Sequence, residues 1–335
     1  MKSLRTRLLV LFGASTAFML TVLAAVIVIQ VNRTFVPFAE SSGMAVAEAR
    51  SAEIGRLIAA YLSELGAHAD RDEFMSGDVQ KVKRYFERKK IGMNSDYDYL
   101  VYSDIDGNAI RTNMGDAGIS GRDYYKAVIK DGKDMFVSMP LVSTANNKQM
   151  FVVARSVKRD GETVGLIGAS IDLETLSKVS SSIKIGTGGY GWIVDGTGLV
   201  IAHPNPDLLM KLNVTKSNEA GFKGLEEAGA LMVKGKSGTL RYTRPDGMRA
   251  ALMFCPIPNT QNWSLGVTIP EEELLSQGYS LLRIITVIAA VILVLLIMII
   301  VLISGYITHP LTTASEHLAL IGTGDFTKDV NSEAV

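Results

Sequence analysis

Two long apolar segments without a charged side chain constrain this sequence more than any other feature. They cover residues 8–32 and 284–306. Each exceeds the roughly 20 residues that a helix needs to cross a hydrocarbon core about 30 Å thick. The sequence therefore predicts transmembrane helix 1 at 8–32 and transmembrane helix 2 at 284–306, with a large hydrophilic domain at 33–282 between them.

The first apolar segment also has the basic start of a cleaved signal peptide, with Lys2, Arg5 and Arg7 before it. Its apolar run is longer than a signal h-region, and no A-x-A cleavage site closes it, which favours a retained anchor. The basic cluster assigns residues 1–7 to the cytoplasm, so two crossings put residues 33–282 outside and the C-terminus inside. These features predict a multi-pass protein of a bacterial inner membrane with a periplasmic domain.

Charge and cysteine content narrow the class further. The chain has 34 basic and 34 acidic residues, and this balance argues against nucleic acid as a partner. Cys255 is the only cysteine, so no intramolecular disulfide can form. Because it stands in the apolar run AALMFCPI, we expect a small buried hydrophobe rather than a reactive thiol.

A long amphipathic helix is predicted to continue from the first apolar segment into the hydrophilic domain. Between residues 44 and 65 the apolar residues recur with the i, i+3, i+4, i+7 spacing of one helix face. This stripe could cover the domain's own sheet, support a homodimer, or do both, and we predict that it pairs with a second copy. Its members are Ile54, Leu57, Ile58, Tyr61, Leu62 and Leu65.

A hairpin pattern occurs twice in the hydrophilic domain. Residues 99–113 predict two strands around Asp106-Gly107, and residues 190–205 predict two strands around Asp195-Gly196. Each hairpin is followed by two longer antiparallel strands and a helix start, at 151–173 and at 249–271. A repeat of about 90 residues predicts two tandem α/β halves, at about 90–180 and 183–270.

Several motifs resemble catalytic or cofactor sites but fail on geometry. The glycines of GTGGYG (186–191) run into a predicted strand, whereas a dinucleotide loop must open a helix. Residues 229–237 carry one spacer residue too many for a phosphate-binding loop, and residues 104–115 lack the Glu that closes a calcium loop. The four histidines are scattered. We therefore expect no catalytic residue, no metal site and no cofactor, and hence no enzyme.

The order of these parts resembles the double-Cache (tandem PAS-like) sensors of bacterial transmembrane receptors, especially in GYGWIVDGTGLVIAHP (189–204). Residues 308–330 look like the start of a HAMP linker, with Pro310 at the helix entry and Gly324-Asp325-Phe326 after the first helix. The resemblance implies an α+β fold: a long N-terminal helix and two Cache subdomains with antiparallel sheets, flanked by two transmembrane helices. Residues 307–335 would form a partial HAMP linker.

The resemblance also implies a ligand site in the membrane-distal half. GRDYY (121–125) resembles the Arg-x-aromatic-aromatic stretch with which amino-acid-binding members hold a ligand carboxylate, which carries over to Arg122, Tyr124 and Tyr125. A guanidinium offers a two-pronged contact to a carboxylate, and the rings exclude water. The alternative is that Arg122 forms a surface salt bridge and the tyrosines only pack.

Three departures from the family pattern bear on that site. Ala117 stands where amino-acid-binding members carry a Tyr, and Leu141 follows Pro140 where they carry an aromatic residue. Ser170 aligns with the Asp that pairs with the ligand amine. Asp172 lies on the same strand face and could replace that Asp, or it could be the N-cap of the next helix.

The predicted function is the ligand-sensing input module of a chemoreceptor. It would bind an amino acid or organic acid and pass the signal through transmembrane helix 2 and the junction at 305–307 to cytoplasmic partners. The alternatives are the sensor of a histidine kinase or diguanylate cyclase, or a non-signalling extracytoplasmic binding protein. The predicted ligand-binding residues are Arg122, Tyr124, Tyr125, Ser170 and Asp172.

Overall fold

A computed structural model describes residues 4–89, 94–112, 114–143, 146–274, 283–299 and 301–302. The helices are α1 (Leu4–Ala69), α2 (Asp72–Met75), α3 (Val79–Lys89), α4 (Asp123–Tyr125), α5 (Leu173–Ser181), α6 (Leu225–Met232) and α7 (Arg283–Ile299). Shorter helical turns occur at Lys126–Lys130 (π), at Pro206–Leu208 and Val214–Ala220 (both 3-10), and at 271–274.

Thirteen strands are present in the described part of the chain, and they build two antiparallel sheets. Sheet A has the order β3-β2-β1-β7-β6-β4, with β5 also paired to β6, and sheet B has the order β10-β9-β13-β12-β11, with β8 paired to β9. The strands are β1 (Tyr97–Asp104), β2 (Asn108–Arg111), β3 (Met114–Gly118), β4 (Met135–Val137), β5 (Leu141–Val142), β6 (Gln149–Arg159), β7 (Glu162–Asp172), β8 (Lys184–Ile185), β9 (Gly189–Val194), β10 (Val200–Ala202), β11 (Gly238–Thr243), β12 (Arg249–Pro256) and β13 (Ser264–Pro270).

The predicted mixed fold, with antiparallel sheets and a long N-terminal helix, is confirmed. One compact unit contains Phe38–Leu274 and therefore both sheets. The two sheets follow one another along the chain, because sheet A ends at Asp172 and sheet B begins at Lys184.

Both predicted hairpins have the same type of turn, in which an Asp side chain accepts hydrogen bonds from backbone N–H groups. The side chain of Asp104 accepts hydrogen bonds from the backbone N–H of Asp106 (3.0 Å) and of Asn108 (2.9 Å). In the second hairpin, Asp195 accepts from the N–H groups two and four residues later. The left-handed positions are Gly107 (φ +88°) and Gly198 (φ +85°), so the shared pattern is D-x-x-G. The turn glycine of the second hairpin is thus Gly198, not the predicted Gly196.

The apolar stripe of α1 lies in the main core of the compact unit. Ile54, Ile58 and Leu65 have no exposed surface, and they share this core with Phe151 of β6 and with Trp263. Tyr61 and Leu62 are buried as well, and Leu57 packs against the same core while partly exposed. The prediction that this stripe pairs with a second copy is wrong, because its surface is already covered within the subunit. The alternative, that it covers the protein's own sheets, is confirmed.

The chain between β12 and β13 approaches α1 closely at Gly55. A Cβ atom there would lie 2.9–3.1 Å from three ring atoms of Pro258, closer than ordinary carbon contacts. Asn259 donates from Nδ2 to the carbonyl of Gly55 (3.1 Å), and Ser51 donates from Oγ to the carbonyl of Pro256 (2.7 Å). This contact ties sheet B to the helix that leads out of the apolar segment.

Cys255 is 3 % exposed on β12. Burial raises the pKa of its thiol to about 11, so the sulfur stays protonated at neutral pH. The prediction of a small buried hydrophobe is confirmed.

The apolar part of α1 meets the length and composition of a membrane span at Gly13–Gln30, with a mean hydropathy of 1.9 and none of it buried in protein. Phe18 (73 %) and Met19 (75 %) are largely exposed there. The described apolar residues of α7, Arg283–Ile299, form a shorter helix. The end of the predicted second span, the junction at 305–307 and the predicted HAMP linker at 307–335 lie outside the described residues.

Candidate ligand-binding site

The GRDYY stretch begins a helical cover over one face of sheet A. Side chains alternate along a strand, so the residues of β1, β6 and β7 divide between the α1 side and the opposite side. On the opposite side α4 and the π turn close over the sheet and create a separate buried cluster, the lid core. Its members are Tyr99, Val101, Ala109, Ile119, Tyr124, Tyr125, Val128, Met150, Val152, Ala154 and Leu166.

Arg122 sits at the N-cap position of α4 with an extended backbone (φ −75°, ψ 147°). Its side chain is half-buried beside the lid core. Within the described ranges, no acidic side chain forms an ion pair with its guanidinium. The surface salt bridge that would give Arg122 a purely structural role therefore has no partner in that part of the chain.

Tyr124 carries a buried hydroxyl close to this arginine. The residue is 4 % exposed, and burial, helped by the nearby Tyr99, raises the pKa of its hydroxyl well above the ordinary value. The positive charges of Arg122 and Arg111 act in the opposite direction. The Tyr124 hydroxyl therefore keeps its proton at neutral pH and can donate a hydrogen bond next to two guanidinium groups.

Tyr125 has a different environment from its neighbour. Its hydroxyl donates to the carbonyl of Ile105 in the β1–β2 turn at 2.5 Å, and its ring is buried in the lid core. On the other side of α4, the carboxylate of Asp123 accepts from the N–H groups of Tyr124 (2.8 Å) and Met139 (2.7 Å). Tyr125 and Asp123 thus attach the helical cover to both ends of the sheet, and the Tyr125 hydroxyl is already engaged.

Ser170 lies on the lid face of β7 and has no exposed surface. Its hydroxyl donates to the sulfur of Met150 at 2.7 Å, and the hydroxyl of Tyr99 donates to the same sulfur at 3.5 Å. Both hydroxyls therefore donate to the same thioether sulfur, which is a weak and uncharged acceptor.

Asp172 is the N-cap of α5, the alternative that the sequence left open. Its Oδ1 accepts from the backbone N–H of Glu174 at 2.9 Å. Its Oδ2 lies 3.8 Å from Nζ of Lys148. The structure thus places Arg122, Tyr124, Tyr125 and Ser170 in or beside the lid core. The hydroxyls of Tyr125 and Ser170 and the carboxylate of Asp172 already have partners.

Sequence reasoning missed three residues of this site: Tyr99, Arg111 and Met150. The guanidinium carbon of Arg111 lies 5.8 Å from the centre of the Tyr99 ring, and its Nε donates to the carbonyl of Gly115 (3.1 Å). Arg111 stands opposite Val101 in the β1–β2 ladder, so both share the face of Tyr99. The alternation of YDYLVYSD (97–104) could have indicated that Tyr99 shares a face with Val101, but only the strand register adds Arg111.

Apart from the engaged carboxylate of Asp123 and the sulfur of Met150, the polar groups of the site are donors. In the ranges that the structure describes, no three His, Cys, Asp or Glu side chains gather in a way that could hold a metal ion. Two guanidinium groups and the hydroxyl of Tyr124 instead surround one end of the lid core. This arrangement suits an anion, and the aromatic and aliphatic neighbours suit an apolar ligand body.

A separate surface cleft lies between α3 and the β2–β3 edge of sheet A. It is lined by residues of both charges, including Lys83, Glu87, Arg111 and Asp116. Only Arg111 belongs to both the cleft and the site beneath the helical cover. The mixed charge gives the cleft no preference for an anion.

Comparison with known proteins gives the family. The Cache domain model dCache_1 matches residues 35–277. The methyl-accepting chemotaxis protein McpG of Pseudomonas putida is 31% identical over 195 residues, which cover 56% of this chain and 28% of that protein. The methyl-accepting chemotaxis protein McpA of Bacillus subtilis is 26% identical over 247 residues, covering 72% of this chain and 34% of that protein. The chain thus spans about a third of the length of these relatives.

Solved structures share the fold. The ligand-binding domain of the Pseudomonas fluorescens chemoreceptor CtaA in complex with L-isoleucine superposes with a TM-score of 0.60 at 18% identity, covering 74% of this chain and 98% of that one. The extracellular domain of the putative histidine kinase mmHK1S-Z3 gives a TM-score of 0.57 at 19% identity, covering 73% and 98%. The match of the family model, together with the apolar helix Gly13–Gln30, implies a membrane protein. The chain belongs to the Cache domain family and is homologous to the methyl-accepting chemotaxis proteins of bacteria.

Proposed function

We propose that this chain is the ligand-sensing input module of a bacterial transmembrane chemoreceptor, and that it binds a small carboxylate-bearing metabolite beneath the cover of sheet A. One observation carries the proposal: the half-buried guanidinium of Arg122 stands beside the lid core without an acidic partner among the described residues. A cation desolvated in this way is stabilised when an anion binds, since the carboxylate replaces lost water. The module itself has no catalytic role.

The ligands of related structures have the same chemistry. The chemoreceptor CtaA is crystallised with L-isoleucine, and the Pseudomonas aeruginosa chemoreceptor PctB is crystallised with L-Arg. Every amino acid carries a carboxylate. In this chain Arg122 and Arg111 would meet the carboxylate, the hydroxyl of Tyr124 would donate to it, and Tyr125 would hold the cover closed.

An organic acid fits the site at least as well as an amino acid. The position that carries an amine-binding Asp in the family pattern is occupied here by Ser170, and its hydroxyl is bonded to Met150. Asp172 could still reach an amine if Lys148 moved, but its Oδ1 already caps α5. We therefore propose that binding requires the contact with the ligand carboxylate and does not require a contact with a ligand amine.

Signal relay forms the second part of the proposal. The compact unit would consist of two Cache halves in the periplasm of a homodimer, and ligand closure in the first half would bias transmembrane helix 2 and a HAMP linker at 307–335. The output would reach cytoplasmic chemotaxis partners. A histidine kinase is the second candidate, because the fold is shared with the extracellular domain of mmHK1S-Z3. The sequence of the output domain in the complete receptor separates the two.

A thermal-shift and calorimetric screen of the full chain in detergent micelles tests the ligand proposal. The screen uses amino acids, the matching hydroxy acids and plain acids, and uncharged amides. A bound acid at 100 times its Kd should add about 2.7 kcal/mol to the free energy of unfolding. Arg122→Ala should abolish this gain and leave the unliganded melting temperature unchanged. Arg122→Lys should restore only part of it, because an ammonium cannot make the two-pronged contact.

Arg88→Ala is the matched control, since Arg88 is an exposed arginine on α3 with a side chain 71% accessible. It should leave both binding and melting temperature as they are. The proposal is wrong if the only ligands found lack an acid group. It is also wrong if Arg122→Ala lowers the unliganded melting temperature, because the arginine would then be structural.

A further inference from the structure

The face of sheet B that points away from α1, called here the outer face, is covered in part by α6 and carries a second cluster of aromatic side chains with polar tips. Trp192 of β9, Tyr242 of β11 and Thr268 of β13 are 3 %, 5 % and 1 % exposed. They point away from α1, because Trp192 and Tyr242 lie in a core cluster separate from that of the α1 stripe, while the neighbouring Ile193 belongs to the α1 core. The indole Nε1 of Trp192 donates to Oγ1 of Thr268 (2.9 Å), which lies 3.2 Å from the Tyr242 hydroxyl. These three residues are buried and linked by hydrogen bonds, and they are called the floor of the outer face below.

Three half-buried side chains surround this floor: Tyr190, His203 and Arg244. The ring centres of Tyr190 and His203 are 5.3 Å apart at an angle of 75°, and the ring of His203 lies 6.4 Å from that of Trp192. They come from three places in the sequence, β9, the residue after β10 and the residue after β11. Tyr190 packs against the core cluster that contains Trp192 and Tyr242, and its hydroxyl is hydrogen-bonded to that of Tyr242.

The hydrogen bonds of His203 define which ring nitrogen is a donor. Nδ1 accepts from the backbone N–H of Asn205 at 2.8 Å. Burial lowers the pKa of the imidazole to about 4, and the positive charge of Arg244 acts in the same direction. The ring is therefore neutral at neutral pH and carries its proton on Nε2. In the described part of the chain nothing accepts a hydrogen bond from this Nε2–H.

The guanidinium of Arg244 retains donors as well. Its Nη2 lies 3.0 Å from Oδ2 of Asp246, and Nη1 is 3.9 Å from the sulfur of Met248. The ion pair with Asp246 is partly exposed, with the Asp246 side chain 47% accessible, so it holds the guanidinium weakly. Burial has the largest effect on the pKa of both His203 and Tyr242, and the positive charge of Arg244 acts to lower both, so its guanidinium lies near both side chains.

We propose that the outer face of sheet B is a second binding site for a small carboxylate, independent of the site at Arg122. The carboxylate would accept hydrogen bonds from Arg244 and from Nε2–H of His203. The apolar body of the ligand would pack against the rings of Tyr190 and Trp192, where the floor excludes water. The sequence places this face in the second hairpin unit, so the two repeated units would each hold an anion on the face that points away from α1.

The two tryptophans of the chain make the site visible to ¹⁹F NMR. Trp192 belongs to the floor, whereas Trp263 lies in the α1 core, 5.2 Å from the ring of Phe151. Incorporation of 5-fluorotryptophan into the full chain in detergent micelles gives two signals, and Trp263→Phe assigns them. Acetate, propionate and benzoate are the carboxylate probes, and propionamide and benzamide are the uncharged controls.

At least one carboxylate should shift the Trp192 signal to saturation and leave the Trp263 signal in place, and its amide should do nothing. Arg244→Gln should weaken that titration at least tenfold, and Arg249→Gln, which changes an exposed arginine of β12, should not. Arg122→Ala should leave the Trp192 titration unchanged, which separates this site from the proposed receptor site. Both signals at their original positions before titration show that a variant is folded.

Three results would overturn the second site. One is the absence of a Trp192 shift with all three carboxylates. Another is a titration that Arg244→Gln does not weaken. The third is loss of the Trp192 shift in Arg122→Ala, because the signal would then report binding at sheet A.

Discussion

The hydroxyl of Ser170 donates to the sulfur of Met150 at 2.7 Å, and neither side chain has any exposed surface. A carboxylate at this point of β7 would carry a negative charge into the lid core and would need a cation, such as a ligand amine, to offset its burial. The Ser170–Met150 pair needs no such cation. Among the described residues, the lid face therefore offers cations and hydroxyls for an acid, and position 170 offers no carboxylate for an amine.

The first prediction is that the site tolerates loss of the ligand's α-amine. For the acid that binds best, the amino, hydroxy and unsubstituted forms should differ in Kd by less than about tenfold, or about 1.4 kcal/mol. Calorimetry on one matched series, for example alanine, lactate and propionate, measures this. A preference of more than a hundredfold for the amino form would show that another carboxylate has taken over the amine.

The second prediction concerns Asp172, the only carboxylate predicted for that role. Asp172→Ala should lower the free energy of unfolding by about 1 kcal/mol, because the cap of α5 is lost. Asp172→Asn should lower the free energy of unfolding much less, since an amide oxygen also accepts a hydrogen bond from the N–H of Glu174. Urea unfolding measures both. If Asp172→Asn weakened binding of the amino acid alone and spared the matching hydroxy acid, Asp172 would be an amine ligand as well as a cap.

Much of this fold was predictable because local chemistry defines it. The Asp-Gly hairpins and the long helix follow from turn residues and from periodicity, both of which act within a few residues. The partner of the α1 stripe was not predictable, because periodicity shows that Ile54 and Ile58 need a cover and does not say what covers them. Tyr99 and Arg111 were missed for a related reason. They come together through the β1–β2 register, a non-local property that a single sequence does not state.

The third prediction compares two buried tyrosines of the α1 core. The hydroxyl of Tyr102 has no hydrogen-bond partner among the described residues, and burial raises its pKa to about 12. Tyr102→Phe should therefore be neutral or stabilise the protein by about 1 kcal/mol, since it removes an unsatisfied buried group.

Tyr61→Phe is the matched control for this change. Tyr61 is 2 % exposed, and its hydroxyl donates to Oδ2 of Asp96 at 2.6 Å. Loss of a hydrogen bond to a charged acceptor should cost about 1.5 kcal/mol or more. Chemical unfolding of both variants measures the two effects. If Tyr102→Phe destabilised the protein as much as Tyr61→Phe, the Tyr102 hydroxyl would have a partner after all, such as a buried water.

The fourth prediction concerns the carboxylate of Glu273, in the helical turn after β13 that leads toward α7. The N–H and hydroxyl groups of Thr187 and the N–H of Gly188 (2.8 Å) donate to it. A Cβ atom at Gly186, which has φ +65°, would lie 2.1 Å from this carboxylate, so the loop needs glycine there. The GTGG segment (186–189) thus binds an anion through backbone N–H groups, and that anion is the carboxylate of Glu273.

The pH dependence of this contact has a definite sign. Partial burial raises the pKa of Glu273, but the donors from Thr187 and Gly188 outweigh it and bring the pKa below the ordinary 4.5. A lowered pKa in the folded state means that the contact stabilises the protein fully above the unfolded-state pKa. The stabilisation is lost as the pH falls through the folded-state pKa.

Glu273→Gln should therefore unfold at a lower temperature than the unchanged protein at pH 7, because the amide keeps only one accepting oxygen and no charge. The difference should begin to shrink as the pH falls below 4.5, where the unfolded chain takes up a proton at this residue, and should be lost once the pH is below the folded-state pKa of Glu273. Glu272→Gln, on the exposed neighbouring residue, is the control and should change little at either pH. Melting curves at pH 7 and pH 4 measure both variants. A deficit of Glu273→Gln that stayed the same at the two pH values would mean that the charge of Glu273 contributes nothing to its attachment.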